Sequence, residues 1–244
     1  MEYSEELYET LKKNADTVRE RIASACRQAG RDPSEVTLVG VSKVFPVEYA
    51  AAAFSGGLKD LGENRVQELV PKIETLDEAG LHPNWHLIGT LQRNKVKYII
   101  GKTYLIHSVN TLELAKEISK RSEASGVVTD ILLQGNISGE ESKHGFAPES
   151  IPAAVEEVCG LAGVRLRGLM TMAPIETAPG QARPVFEAAR EVFVKVKAEC
   201  VKDPSCFDVL SMGMSGDYTE AILEGSTCVR VGTAIFGNRN AYKA

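Results

Sequence analysis

The sequence predicts an α/β protein that folds as a single (β/α)₈ barrel with an extra N-terminal helix. From Thr37 onward, short apolar runs alternate with segments of helical periodicity, which is typical of parallel β/α architecture. Eight such runs occur, the number at which this kind of barrel closes. The length of 244 residues is also close to the ~250 residues typical of the fold.

The first predicted element is a helix over Glu5–Gln28, ahead of the first strand. Apolar residues recur near one of its faces at helical spacing, namely Leu7, Leu11, Val18, Ile22 and Ala25. The pair Asp32-Pro33 ends this region.

The eight predicted strands include several continuous apolar runs, as expected when protein covers both faces of a sheet. They are Thr37–Ser42, Lys59–Gly62, Trp85–Gly89, Tyr104–Val109, Asp130–Asn136, Leu166–Met172, Val209–Met212 and Cys228–Gly232. Helices are predicted between them, for example over Thr111–Ala124 and Gln181–Val201. An open doubly wound sheet is the alternative, but no GxGxxG motif follows the first strand. No linker divides the chain, so we expect one domain over residues 1–244.

Composition excludes several classes of protein. Apolar residues make up 43% and charged residues 25%, which excludes a disordered chain. The net charge of −5 argues against a nucleic-acid binder. We find no apolar run long enough to cross a membrane and no signal peptide in the acidic N-terminus. Five scattered cysteines indicate reduced thiols, so we expect a cytoplasmic protein.

Lys43 is the strongest candidate for a residue that reacts with a ligand. It follows the first predicted strand, and in this fold active sites lie at the carboxyl ends of the strands. Partial burial lowers the pKa of a lysine, and the neutral amine can form a Schiff base with a carbonyl compound. The alternative is a solvated lysine at the start of a loop.

The last two strands end in segments that could bind phosphate. Ser211-Met212-Gly213 and Val231-Gly232-Thr233 lie where such barrels commonly hold phosphate groups. Glycine permits close approach of the backbone, and amide and hydroxyl groups can surround an anion. Alternatively the glycines only form turns, and Ser215 caps a helix over Gly216–Glu224.

Arg230 shares a strand face with Gly232, because side chains two residues apart point the same way. A barrel-facing arginine needs a partner, which could be a ring nitrogen or a carboxylate of a ligand. Pairing with a glutamate of a neighbouring strand, such as Glu63, is the alternative.

No metal site is predicted. His82 and His86 are four residues apart, but the segment runs into a strand and is not an HExxH helix. His107 and His144 have no companions at ligand spacing. A catalytic serine is equally unsupported, since no GxSxG motif occurs.

A Schiff-base lysine together with a phosphate site suits pyridoxal 5′-phosphate (PLP). The stretches that carry more specific information are Val41-Ser42-Lys43, Gly62-Glu63-Asn64, Trp85–Gly89 with Leu91-Gln92 and Asn94-Lys95, Ser142–Phe146, Gly168–Thr171, Leu210–Asp217 and Val229–Gly237. In these stretches the chain resembles the pyridoxal phosphate homeostasis protein family, whose fold is like the barrel domain of alanine racemase. The resemblance covers nearly everything from Thr37 to Arg239.

The resemblance implies roles for particular residues. Lys43 would form the Schiff base, Arg230 would face the pyridine nitrogen, and Ser211, Gly232 and Thr233 would hold the phosphate, with Asn64 and Met212 lining the pocket. Lys143 matches a family lysine of less settled role. Phe45 stands where members often carry a second lysine, which puts the role of that lysine in passing on the cofactor in doubt here.

A positive charge beside the ring nitrogen disfavours its protonation and makes the ring a poorer electron sink. Alanine racemase takes its second base from an additional domain and the partner subunit, and a chain ending at Ala244 is expected to lack that domain. We therefore predict a monomeric carrier that stores, buffers or delivers PLP, with no catalytic residue and no robust turnover. Apo-forms of PLP-dependent enzymes are the expected acceptors.

Two alternatives remain open at this point. The first is a PLP-dependent racemase or lyase of small amino acids, with His86, His107 or Tyr218 as its acid–base group. The second is a Schiff-base aldolase for phosphorylated sugars that uses no PLP.

Overall fold

In the computed structural model, which describes residues 1–140, 144–174 and 180–239, eight parallel strands close into a barrel in chain order. The strands are β1 Thr37–Val41, β2 Asp60–Glu63, β3 Asn84–Leu87, β4 Leu105–Val109, β5 Thr129–Gln134, β6 Val164–Met170, β7 Val209–Ser211 and β8 Cys228–Val231. The helices are α1 Glu5–Gln28, α2 Val47–Ser55, α3 Val66–Glu78, α4 Leu112–Ala124, α5 Ile151–Cys159, α6 Arg183–Glu199, α7 Tyr218–Leu223 and α8 Thr233–Phe236. Closure excludes the open doubly wound sheet.

Every predicted strand is present, with bounds that differ by at most two residues from those expected. The N-terminal helix has its predicted bounds, and the helix predicted over Gln181–Val201 is shorter at each end. The connection from β3 to β4 carries a 3₁₀ turn over Arg93–Tyr98 in place of an α-helix. Further 3₁₀ turns span Pro33–Glu35, Pro148–Ser150 and Pro204–Cys206.

The barrel closes where the first strand meets the last. Val39 lies opposite Arg230 and Gly40 opposite Val231 in the parallel β1–β8 pair. Helix α1 packs on α2, α7 and α8, which flank these two strands. Ser4 caps α1 by accepting a hydrogen bond from the Leu7 amide, so a locally well-specified helix covers the seam.

No helix within residues 1–140, 144–174 and 180–239 combines the length and the apolar character needed to span a bilayer. The five cysteines are present as thiols, as the sequence predicts.

The barrel interior contains both apolar and polar side chains. Leu105, Leu132 and Met170 form a small apolar cluster within it. The buried polar side chains beside this cluster are those of His86, His107, Ser211 and Arg230. Because side chains alternate along a strand, His107 shares a face with Leu105, and Arg230 with Cys228. The larger apolar core lies outside the barrel wall, beneath the helices.

Gly168 marks an irregularity in β6. Ile131 pairs with Leu166 but Leu132 pairs with Gly168, so Arg167 is an extra residue on this strand. The bulge turns Arg167 outward, where its guanidinium donates to Asp208 at 2.7 Å and to Asp130 at 2.9 Å. Gly168 has φ 148°, and a Cβ atom there would overlap the carbonyl oxygen of Val209.

We expect Gly168→Ala to destabilise the protein by about 3 kcal/mol or more, because steric overlap and backbone strain add. Gly160→Ala is the matched control, since Gly160 has φ −83° and its added Cβ would lie 3.3 Å from the nearest atom. Gly160→Ala is expected to change the free energy of unfolding by no more than about 1 kcal/mol. Urea denaturation measures both, and equal stabilities for the two variants would contradict the prediction.

Candidate functional site

A cavity of about 490 Å³ opens at the carboxyl ends of the strands. Five of the seven residues predicted for the site line it, namely Lys43, Asn64, Arg230, Gly232 and Thr233. Its size is in the range of small-molecule sites. The amine expected to capture a carbonyl and the segment expected to hold an anion therefore face one common space.

The lining of the cavity is strongly biased in charge. Lys43, Arg230 and Arg239 contribute cationic side chains, and none of the lining residues that the structure describes is acidic. Ser215, Gly216, Gly232 and Thr233 also line the cavity, where they form a rim of hydroxyl groups and glycines. This combination favours a ligand that carries negative charge.

The Lys43 side chain is half-buried at the cavity wall. Burial lowers the pKa of its amine, and the positive charges of Arg239 and Arg230 lower it further, against opposing effects of Glu63 and Glu68. A lowered pKa leaves more of the amine neutral at neutral pH. The neutral amine is the form that can attack a carbonyl carbon.

The backbone on both sides of Lys43 is held by charged side chains. The amide of Val44 donates to Glu68 Oε2 at 2.8 Å, and the carbonyl of Ser42 accepts from Lys72 Nζ at 2.9 Å. Val44 has φ 73°, a conformation that β-branched residues seldom adopt and that costs on the order of 1–3 kcal/mol. The two side-chain contacts maintain this strained turn and fix the direction of Lys43.

Lys72 also forms a buried ion pair. Its Nζ lies 2.5 Å from Glu63 Oε1, which accepts a second hydrogen bond from Ser42 Oγ at 2.7 Å. Within the described residues, Glu63 Oε2 has no hydrogen-bond partner. Burial raises the pKa of Glu63, while Lys72 and Ser42 oppose the rise. Glu63 therefore pairs with Lys72, and the alternative in which it pairs with Arg230 is wrong.

Sequence reasoning missed Lys72, although a signal for it exists. Lys72 lies on the apolar stripe of α3 with Leu69, Ile73 and Leu76, where a solvated lysine has no place. A charged residue on a buried helix face implies a buried partner of opposite charge.

Arg230 is held inside the barrel by neutral acceptors. Its Nη1 donates to Ser211 Oγ at 2.5 Å and its Nη2 to the Thr171 carbonyl at 3.0 Å. Burial lowers the pKa of the guanidinium, but arginine keeps its proton in proteins. The guanidinium therefore places a permanent positive charge at the cavity, and neither of these two acceptors is a carboxylate.

The structure does not bring Ser211 and Met212 to the cavity. Ser211 is fully buried with its hydroxyl bonded to Arg230 and His107, and Met212 belongs to the apolar core. Ser215 lies at the rim instead, where its Oγ accepts from the Gly232 amide at 3.1 Å. Ser215 is not a helix cap, because α7 begins at Tyr218 and its N-cap is Asp217.

The remaining candidates are distributed as follows. His86, His107 and Tyr218 are buried away from the cavity, whereas His144 lines it together with Gln134, Met172 and Met214. Phe45 points into the core and packs beside Phe236 in a tilted arrangement, with ring centroids 5.7 Å apart. Lys143 lies outside the described residues.

Comparison with known proteins gives a consistent result. The family model described as "Alanine racemase, N-terminal domain" matches residues 10–240. The "Pyridoxal phosphate homeostasis protein" of Aquifex aeolicus is 44% identical over 223 residues, which cover 91% of this chain and 95% of that protein. An unknown protein from Bifidobacterium adolescentis has a crystal structure with a TM-score of 0.89 and 34% identity, covering 96% of this chain and 98% of that one.

A third relative was solved with a ligand. PipY of Synechococcus elongatus, with PLP bound, has a TM-score of 0.76 and 32% identity, covering 90% of this chain and all of its own. These similarities extend over the barrel and its N-terminal helix. The chain belongs to the pyridoxal phosphate homeostasis protein family, whose barrel is that of the alanine racemase N-terminal domain.

Proposed function

We propose that this protein binds PLP covalently through Lys43 and serves PLP homeostasis by storing, buffering or delivering the cofactor. The observation that carries the proposal is the cavity itself. A half-buried amine of lowered pKa faces a space lined by cations and hydroxyl groups and by no described acidic residue. The relatives from Aquifex aeolicus and Synechococcus elongatus support the choice of PLP among anionic carbonyl compounds.

The residues present fit this ligand. When bound, PLP supplies an aldehyde that reacts with amines and a ring that can withdraw electrons. Lys43 would hold the aldehyde carbon, and the rim of Ser215, Gly216, Gly232 and Thr233 would surround the phosphate. Arg230 would face the ring nitrogen and disfavour its protonation, and Asn64 would line the pocket.

A role as carrier, without robust turnover, is supported by the poor supply of acid–base groups. Racemisation needs a proton-transfer group on each side of the substrate. Besides the Lys43 amine, the described part of the lining offers one imidazole, and that residue, His144, is exposed to solvent. We propose that apo-forms of PLP-dependent enzymes accept the cofactor and that the protein acts as a monomer in the cytosol. Rapid exchange of α-hydrogen for deuterium in small amino acids would favour a racemase instead.

The covalent attachment can be tested directly. The protein is mixed with PLP, reduced with borohydride, digested and mapped by mass spectrometry. We expect one adduct with the mass of reduced PLP on the peptide that contains Lys43. An adduct with the mass of a sugar phosphate on protein isolated from cells would favour the aldolase, and the absence of any PLP adduct would refute the proposal.

The rim can be tested with Ser215→Ala. Removal of one hydrogen bond to a charged group costs ~1.5–3 kcal/mol, so we expect PLP affinity to fall about tenfold or more. Affinity for pyridoxal, which lacks the phosphate, should not change. Ser205→Ala is the control, because Ser205 is exposed and bonded to Asp203 far from the site. Equal losses for both ligands would place Ser215 away from the phosphate.

A further inference from the structure

A series of five hydrogen-bonded side chains crosses the barrel interior from Arg230 to Asp60. Arg230 Nη1 lies 2.5 Å from Ser211 Oγ, which lies 2.9 Å from His107 Nδ1. His107 Nε2 lies 2.8 Å from His86 Nδ1, and His86 Nε2 lies 3.1 Å from Asp60 Oδ1. These five residues, the interior network, come from β8, β7, β4, β3 and β2.

With both imidazole rings neutral, the two end groups fix the direction of every bond between them. An ionised Asp60 only accepts, so a neutral His86 must carry its proton on Nε2 and accept at Nδ1. His107 must then donate from Nε2 and accept at Nδ1. Ser211 donates its hydroxyl proton to His107 and accepts from Arg230, which can only donate. The neutral state of His107 agrees with its complete burial, which is the main cause that holds its pKa well below the usual range.

The surroundings leave the interior network few other partners. Leu105, Leu132 and Met170 pack beside it, and Cys228, whose thiol also faces Ser211, has its pKa raised to about 11 by burial. Asp60 is held at the far end by Asn84 Nδ2 at 3.0 Å. Asp60 and His86 line a second cavity, of about 520 Å³, at the amino ends of the strands. The interior network thus joins this cavity to the one that contains Lys43.

We propose that Asp60, His86 and His107 are positioning residues that orient Arg230, through Ser211, toward the cofactor ring. The proposal rests on the proposed function, because it assumes that Arg230 faces PLP. A guanidinium with one anchor at the Thr171 carbonyl can rotate, whereas a second anchor of fixed direction at Ser211 holds its plane. The three residues would act on the ring only through Arg230.

The first test uses the protein without cofactor. Nitrogen-15 NMR of labelled histidine rings distinguishes the two neutral tautomers. We expect both His86 and His107 to be protonated on Nε2 near neutral pH. Asp60→Asn keeps an acceptor oxygen and should preserve this pattern, whereas Asp60→Ala should lose it at His86. His82→Phe removes an exposed histidine and serves to assign the signals. An Nδ1-protonated His107 in the wild-type protein would overturn the proposal.

The second test uses the protein loaded with PLP. We expect His107→Phe to weaken PLP binding about tenfold and to shift the visible absorbance of the bound cofactor, because Arg230 loses its orientation. His107→Gln can accept from Ser211 and donate to His86, so it should restore both properties. His82→Phe should leave them unchanged. A His107→Phe protein with wild-type affinity and spectrum would refute the positioning role, whereas failure of the wild-type protein to bind PLP would refute the proposed function and leave the tautomers as predicted.

Discussion

We expect replacement of Lys43 with alanine to abolish the borohydride-stable attachment of PLP. Lys43 is the half-buried amine of lowered pKa within the cavity, and alanine offers no nucleophile. The rim and Arg230 remain in the variant, so weak non-covalent binding of PLP should persist. Mass spectrometry of the reduced protein measures the first effect, and equilibrium dialysis measures the second.

Two further variants separate charge from covalent chemistry. Lys43→Arg keeps the positive charge but cannot form the link, so it should bind PLP better than Lys43→Ala and still yield no adduct. Lys12→Ala removes an exposed lysine of α1 and should give the full adduct. An undiminished adduct in Lys43→Ala would show that another lysine carries the cofactor, with Lys143 the first to map.

Replacing Lys72 with methionine should lower the free energy of unfolding by about 3–5 kcal/mol, because it leaves Glu63 as an uncompensated buried acid. For a protein of this size, each kcal/mol lowers Tm by about 2–4 °C. The turn that carries Lys43 also loses the hydrogen bond to the Ser42 carbonyl. Thermal and urea denaturation measure the stability, and the yield of PLP adduct reports on the turn.

The loss of stability in Lys72→Met should increase as the pH rises. The pKa of Glu63 in the folded protein is already raised by burial, and Lys72 opposes that rise. In Lys72→Met the folded-state pKa of Glu63 rises further above its unfolded value of about 4.3, so the folded state binds the proton more tightly. The variant therefore retains its stability at pH values below the pKa of Glu63 in the unfolded chain. It loses stability as the pH rises through the pKa of Glu63 in the folded protein.

The matched control is the double variant Glu63→Gln/Lys72→Met. It removes both charges, and buried ion pairs are often replaced at little net cost. We expect it to recover most of the stability and to lose the added dependence on pH. If Lys72→Met alone were as stable as the wild-type protein at alkaline pH, the ion pair would contribute nothing to the fold.

The fold could be predicted from sequence because its signals are local. The strand and helix periodicities each depend on neighbouring residues, and the number of strands that they predict agrees with the closed barrel. The site was predicted less completely. Ser211 and Ser215 are four residues apart, and Gly213, with φ 95°, changes the direction of the backbone between them. A linear pattern cannot show which hydroxyl group then faces the barrel interior and which faces the rim.

The interior network shows a second limit of sequence reasoning. His86 and His107 were candidates for acid–base chemistry because of their residue type and their place at strand ends. Their actual contacts depend on the stagger between β3 and β4 and on the distance across the barrel to β7, none of which a local pattern encodes. Charged and polar residues on buried strand faces nevertheless indicate that such contacts must exist.

The seam between β1 and β8 has a consequence for protein synthesis. Lys43 leaves the ribosome long before Gly232 and Thr233, although all three line one cavity in the finished molecule. A nascent polypeptide that has not yet released β8 therefore exposes the reactive amine without the wall that would retain a phosphorylated ligand. Stable loading has to wait until β8 has been synthesised and has paired with β1, which makes retention of the ligand a marker of a closed barrel.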